Sequence, residues 1–216
     1  MKSARFVLLL ILTLVLNACN PGGTSTPTPN ACQLQPSGEI VCTLPFSQPV
    51  SKYRAKAPGP GQIACPPGSF DMVNQKVEGT ANAVLHPVNL WLTATVNVPD
   101  GLYHGSLAFL TPTCGQVLTT DAFHANFGLT YVSEVDYSIP PACVYRSRVD
   151  FTSFVMTGFN LVDKEILQVV LHYMQDQILK SIDFIVADAV NQSLLGTGTP
   201  LPANTDPRCP NWQPLP

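Results

Sequence analysis

The chain has 216 residues, a formal net charge of −3 and only 12% charged side chains. Nucleic-acid binding depends on clusters of basic residues that neutralise phosphates, so a mildly acidic, charge-poor chain of this kind predicts no nucleic-acid partner. A chain of this length fits one domain with a sizeable core.

The N-terminus predicts export. Lys2 and Arg5 precede an uncharged apolar run at residues 6–16, which is too short for the ~20 residues of a membrane-spanning helix. The run ends in LNAC at residues 16–19. This tetrapeptide resembles the lipobox of bacterial lipoproteins, with leucine three residues before the cysteine and a small residue just before it.

The resemblance implies that residues 1–18 are a cleaved signal peptide and that the thiol of Cys19 carries the lipid anchor. Several acyl chains give stable anchoring, since each buried methylene adds about 0.8 kcal/mol and one chain alone holds only marginally. We therefore expect attachment to the bacterial cell membrane or, because Asn20 follows the cysteine, to the outer membrane where the cell has one. Residues 19–31 are rich in Pro, Thr and Gly, which predicts a tether.

The remaining cysteines are even in number, which in an exported chain predicts three disulfides with 15 possible connectivities. Cys32 and Cys42 flank a Pro-Ser-Gly turn, so we expect them to close a hairpin, and we expect Cys209 to fasten a Pro-rich tail at residues 196–216 to the body. Without a CxxC pair or closely spaced Cys and His, the sequence predicts no metal site and no other cofactor. The candidate disulfide residues are Cys32, Cys42, Cys65, Cys114, Cys143 and Cys209.

Alternation of apolar and polar residues predicts antiparallel strands. It is clearest at residues 88–98, where a Pro-Asp-Gly turn signature at 99–101 predicts a hairpin to the next segment. The sum is about five strands in a meander with one apolar face. The alternating segments are residues 71–83, 88–98, 102–111, 123–139 and 145–155.

A helix of some 30 residues is predicted between an N-cap at Asn160 and Gly196, with apolar residues every three or four positions and Asp183 on the polar side. We therefore expect residues 32–195 to form a single α+β domain in which a long curved antiparallel sheet packs on a C-terminal amphipathic helix. This order resembles, in outline, helix-grip domains of the START and Bet v 1 type and the tubular lipid-binding proteins. The resemblance implies an apolar ligand held between sheet and helix.

Two groups of residues are candidate binding sites. Aromatic residues on the apolar faces would line a cleft for a hydrophobic molecule, or else pack together as an ordinary core: Phe123, Phe127, Tyr131, Phe151, Tyr173 and Phe184. Trp91, Arg146 and Arg148 are candidate contacts for a protein or glycan partner, unless the N-terminal hairpin or the tail covers Trp91. Alternating Lys52, Arg54 and Lys56 would bind lipid head groups, or serve as solvated residues that protect a sheet edge.

The sequence assigns no catalytic residue. His104 follows Asp100 and His124 follows Asp121, and Ser106 or Ser133 could complete a triad, but the chain has no G-x-S-x-G, H-E-x-x-H, P-loop or G-x-G-x-x-G motif. The expected function is a non-enzymatic envelope lipoprotein that binds a hydrophobic or lipid ligand. The alternative is an interaction protein that docks a protein or glycan, and an envelope hydrolase ranks third.

Overall fold

The computed structural model describes residues 31–56, 69–88, 91–111, 116–138, 140–158, 164–193, 200–202 and 205–215. The predicted signal peptide, Cys19 and the predicted tether before residue 31 lie outside these ranges, as do Cys65, Cys114 and Asn160. The described elements are β1 (Ala31–Leu34), β2 (Ile40–Val50), β3 (Tyr53–Lys56), β4 (Ser69–Val88), β5 (Trp91–Thr111), β6 (Gln116–Asp136), β7 (Cys143–Thr157), α1 (Lys164–Ser193) and β8 (Arg208–Pro214).

The strands form one sheet in the order β1-β2-β4-β5-β6-β7-β8, and β3 pairs with β4 beyond the end of β2. Neighbours are antiparallel except β7 and β8, which run parallel. The α+β architecture with a long antiparallel sheet and a C-terminal helix is confirmed, but the expected number of about five strands is wrong, because the described residues form eight. Residues 91–98 and 102–111, from two predicted segments, belong to the single strand β5, and four strands, β1, β2, β3 and β8, are not among the five segments. Three of these four, β1, β3 and β8, are short, with 4, 4 and 7 residues, whereas β2 alternates over 11 residues and is predicted only as part of the Cys32–Cys42 hairpin.

The Pro-Asp-Gly segment is not a turn. β5 continues through residues 99–101 as one strand, and its register against β6 shifts between Val98 and Gly101. A bulge of this kind holds extra residues outside the ladder while pairing continues on both sides. The hairpin turn lies instead between Val88 and Trp91, which are opposite each other in β4 and β5.

The alternation identified most of the core face correctly. The buried residues of β5 include Leu92, Ala94, Val96 and Val98, and the residues of β6 that face the same side of the sheet are buried as well. Two apolar residues of the alternating segments, Val88 in 88–98 and Val155 in 145–155, are nevertheless 56% exposed. Val88 ends its strand at the hairpin, and Val155 points outward because a register shift in the β6–β7 pair places two residues, 152 and 153, between successive inward positions.

Helix α1 is confirmed over 30 residues, and its stripe Met174, Ile178, Ile182 and Ala189 is fully buried. Its second half is buried on nearly every side, because the chain returns over it after residue 200. The expectation that Asp183 faces water is therefore wrong, since its side chain has no exposed surface. The returning segment also contacts the helix directly, where the Leu201 amide donates to Asp188 Oδ1 at 2.7 Å.

Two disulfides occur among the described residues. Cys32–Cys42 joins the hairpin of β1 and β2, as expected. Cys143–Cys209 fastens β8 to the start of β7, so the tail is stapled at Cys209 as predicted and adds a strand to the sheet. Disulfides persist in oxidising compartments, which places the domain outside the cytoplasm. No helix in the described segments is both long and apolar enough to cross a bilayer.

Candidate functional site

The sheet–helix interface buries half of the residues that are expected to line a ligand cleft. Phe123, Phe127 and Tyr131, three of the predicted ligand-lining residues, are buried in the core. Phe151 is half-buried and meets Phe127 edge-on, with ring centroids 6.4 Å apart. Two larger openings lie at the surface, along the side of α1 that faces β2 and β3, and a smaller one of about 290 Å³ lies beside Phe127, between β5, β6 and β7.

The larger opening, which we call the tail cleft, has a volume of about 540 Å³. It lies between the end of β2, α1 and the segment that leads into β8. Phe184 supplies its aromatic surface, and the other side chains are amides and hydroxyls, two prolines and a valine, and the charged Lys180 and Asp206. The lining residues are 48–51, Gln177, Lys180, Ser181, Phe184 and 205–207.

The second opening, the tyrosine cleft, has a volume of about 450 Å³ and lies further towards the start of α1. Tyr53 and Tyr173 stack in its wall with ring centroids 4.0 Å apart. The Tyr173 hydroxyl donates to the carbonyl of Ser51 at 3.3 Å, and Ser51 lines the tail cleft. The two clefts therefore flank one bridge, and we refer to them together as the α1 groove. Its remaining lining residues are Gln168, Val169, His172 and Asp176.

The bridge is held from the core side. Buried Gln75 donates from Nε2 to the carbonyls of Ser51, at 2.8 Å, and Met72, at 3.1 Å. Its Oε1 accepts the hydroxyl of Tyr103, whose pKa is raised by burial. Because every polar group of this amide has a partner, the position of Ser51 in the wall of the groove is set by the fold.

The cations beside the groove are paired with acids. Lys180 Nζ lies 3.0 Å from Asp176 Oδ2. Arg208 Nε donates to Asp183 Oδ2 at 2.7 Å, and its Nη1 lies 3.9 Å from Asp176 Oδ1. The groove therefore offers aromatic faces, amides and hydroxyls, and these two cations are already committed to carboxylates.

The first basic group is also bound internally. Arg54 donates to both oxygens of Asp71, at 2.6 and 2.9 Å, and Lys52 Nζ lies 2.5 Å from Oδ2. Asp71 is 3% exposed, and the Arg54 hydrogen bond, assisted by Lys52, holds the pKa of its carboxyl at about 2. The side chain of Lys56 lies outside the described residues.

Trp91 is 42% exposed on the outer face of the sheet, the face opposite the core. Its ring lies 5.2 Å from that of Tyr145, and the guanidinium of Arg146 lies 5.2 Å from the same tyrosine ring. Arg146 is also 3.9 Å from Glu134, opposite it in β6. Of the predicted partner contacts, the structure thus brings Trp91 and Arg146 together through Tyr145, which the sequence reading missed. We call Trp91, Tyr145 and Arg146 the outer aromatic patch.

Arg148 is the third predicted partner contact. It forms an ion pair with Asp150, with Nε 3.3 Å from the carboxylate, and it has a further interaction in the fold. Arg148 therefore reaches the outer face as a paired cation.

Of the two serines considered for a triad, Ser133 lies on a different face from the histidines, whereas Ser106 lies on the same face of β5 as His104. His104 and His124 are on the outer face, directly opposite each other in β5 and β6. Ser133 is fully buried on the core face. This separation excludes a triad built from Ser133 and either histidine. Asp121 contributes no described side chain.

Comparison with models of known protein families finds no matching family. Comparison with curated proteins finds no match.

Proposed function

We propose that this chain is a membrane-tethered, extracytoplasmic, non-enzymatic binding domain that holds an amphipathic ligand in the α1 groove. The observation that carries the proposal is the pair of adjoining clefts, about 540 and 450 Å³, on either side of the Ser51–Tyr173 bridge. Each volume lies within the ~300–1,000 Å³ of small-molecule sites. The burial of Phe123 and Tyr131 in the core favours this surface groove over a ligand held deeper between sheet and helix.

The lining supports an uncharged ligand. Phe184 and the stacked Tyr53 and Tyr173 offer apolar surface for an acyl chain, and amides and hydroxyls suit a head group that carries hydroxyl or amide groups. An anionic head group would have to displace Asp176 from Lys180, which costs an existing ion pair. A neutral acylglycerol is a ligand of this class.

Membrane attachment supports the same proposal. The export signal and the LNAC lipobox predict a lipid on Cys19, and the tether that follows would hold the groove close to a bilayer from which an acyl chain could be taken up. The disulfides agree with export.

The test begins with the exported chain purified from an oxidising compartment. Native and denaturing mass spectra reveal any co-purifying lipid, and uptake of a fluorescent monoacylglycerol measures binding directly. We expect Gln177→Trp and Gln168→Trp, which fill the two clefts, to weaken uptake by about tenfold or more. Gln33→Trp is the matched control, because Gln33 is exposed on β1 and lines neither cleft.

Two results would contradict the proposal. One is the absence of both co-purifying lipid and uptake in a folded protein. The other is equal uptake by the cleft-filling variants and the control. A fluorescent fatty acid run in parallel tests the head-group argument, since we expect its carboxylate to bind more weakly than the neutral acylglycerol.

A second candidate function is docking of a glycan or protein through the outer aromatic patch. Tryptophan, tyrosine and arginine are the residue types that dominate binding energy at interfaces, and here they are adjacent and accessible. Co-sedimentation with purified cell-wall polymer tests the glycan form. Trp91→Ala should abolish it, whereas Val41→Ala, a change of another exposed apolar residue, should not.

A further inference from the structure

The outer face of the sheet carries a cross-strand pair of histidines, and we propose that His104 and His124 bind a divalent transition-metal ion. The two residues are direct partners in the antiparallel pair of β5 and β6. Directly opposed residues on one face have Cβ atoms ~4.5–5.5 Å apart, which lets two imidazoles converge on one ion. The pair lies on β5 and β6, away from the α1 groove, so the inference stands independently of the ligand proposed there.

Both rings are accessible from solvent. The preceding residues, Tyr103 and Phe123, are buried on the core face, so the alternation of the strands turns the histidines outward. His124 is exposed and His104 is half-buried. An ion from solution can therefore reach the pair without a change in the fold.

One ring is already oriented by a partner. Thr157 lies opposite His124 in β7, and its Oγ1 is 2.6 Å from His124 Nε2. Histidine ligands in metal sites typically have their second ring nitrogen fixed by such an outer hydrogen bond. In the tautomer that donates Nε2–H to Thr157 Oγ1, Nδ1 of His124 is unprotonated and is the ligand atom.

The local charge permits a cation. Lys76 is opposite His104 in β4, where an unpaired ammonium would repel a metal ion. Its Nζ is bound to the carboxylate of Glu78. The Glu78 carboxylate therefore offsets the charge of the lysine.

The ligand set selects the class of metal. No third His, Cys, Asp or Glu joins a pair to form a metal-binding group in the described part of the chain, so water would complete the coordination. Two imidazoles suit Cu²⁺, Zn²⁺ and Ni²⁺, with Cu²⁺ bound most tightly in the usual order of affinity, whereas Mg²⁺ and Ca²⁺ prefer oxygen ligands.

Titration of the full chain with Cu²⁺ and, separately, with Zn²⁺ tests the inference, with calorimetry for affinity and electron paramagnetic resonance for nitrogen coupling to copper. We expect one ion bound with two imidazole nitrogens as ligands. His104→Asn and His124→Asn should each weaken binding by at least about tenfold, and Thr157→Val by about tenfold. Lys76→Gln should tighten it.

His86→Asn and His172→Asn are the matched controls, because these histidines lie on β4 and α1 outside the pair. Circular dichroism of each variant checks that the sheet is intact. The inference is overturned if the folded His104 and His124 variants bind Cu²⁺ and Zn²⁺ as well as the unchanged chain does. It is also overturned if a control substitution removes the site, or if bound copper shows fewer than two imidazole nitrogens.

Discussion

Arg208 Nε donates to Asp183 Oδ2 at 2.7 Å although the Asp183 side chain has no exposed surface. The other carboxylate oxygen accepts the hydroxyl of Tyr131 at 2.6 Å. Arg208 also lies 4.1 Å from the centre of the Trp212 ring, and Trp212 Nε1 donates to Ser147 Oγ at 3.1 Å. One network thus joins α1, β6, β7 and β8, and it fixes the returning tail against the helix that forms one wall of the groove.

We expect Asp183→Ala to lower the free energy of unfolding by ~3–5 kcal/mol, because it leaves the largely buried guanidinium of Arg208 without its hydrogen-bonded carboxylate. Asp150→Ala, which removes an exposed ion pair with Arg148, should cost less than ~1 kcal/mol. Urea unfolding measures both values. Asp183→Leu combined with Arg208→Met should be milder than Asp183→Ala, since it removes both charges. Equal costs for Asp183→Ala and Asp150→Ala would refute the network's role.

Stability at low pH should depend on Asp71. Its carboxyl has a pKa of about 2 in the fold against 3.8 for the free group, so the unfolded chain binds its proton more readily. The stability that this group contributes is fully present above about pH 4 and is lost as the pH falls through 2. Arg54→Gln should raise this pKa and flatten the dependence in that range. Urea midpoints between pH 2 and 5 measure it, with Arg148→Gln as the control. An unchanged slope in the Arg54 variant would argue against the pair.

Sequence patterns predicted those features that depend on neighbours along the chain. The alternation at residues 92–98 and the three-to-four spacing of α1 identified buried faces directly, because period and burial are linked within one element. The Cys32–Cys42 hairpin followed from a local turn signal in the same way.

Features that depend on pairing between distant segments could not be predicted from the sequence. Asp183 is read as a surface residue until Arg208 is known to return over the helix. The outer aromatic patch and the histidine pair each depend on strand register, and register is altered by bulges that carry no clear sequence signal. The α1 groove likewise forms between β2, the helix and the tail, three segments that no local pattern connects.

A third disulfide is expected between Cys65 and Cys114. Both residues lie outside the described part of the chain. The prediction rests on their being the two cysteines left once Cys32–Cys42 and Cys143–Cys209 are paired, and on the strands beside them. Ser69 and Leu110 are opposite each other in β4 and β5, and the two cysteines lie four residues before the first and four after the second. Peptide mapping of the exported protein under non-reducing conditions should find this linkage. A free thiol at either position would contradict it.

Lipid attachment should depend on Cys19 and not on Cys32, although Asn-Ala precedes both. Only Cys19 follows an apolar run with leucine three positions earlier. In a bacterial host we expect Cys19→Ala to abolish incorporation of labelled palmitate and to release the chain from the membrane fraction. Cys32→Ala should keep the label even though it removes a disulfide. Label retained in the Cys19 variant would exclude the lipobox assignment.

Because β5 continues through its bulge, any side chain at position 101 should clash with the facing strand β6. A Cβ at this position would lie 2.2 Å from the ring of Phe127, the residue opposite in β6. Gly101→Ala must therefore displace a buried aromatic ring, and we expect a cost of ~1–3 kcal/mol in the free energy of unfolding.

Gly79→Ala is the control, because the closest contact of its Cβ would be 3.1 Å from the edge of the Phe46 ring and the cost should be smaller. Adding Phe127→Leu to Gly101→Ala should recover part of the loss, since the smaller side chain makes room for the new methyl group. If residues 99–101 were a hairpin turn, Gly101 would not lie beneath Phe127. The changes in unfolding free energy caused by the two substitutions would then be additive. Non-additive unfolding energies in this pair therefore distinguish a continuous β5 from two strands joined by a turn.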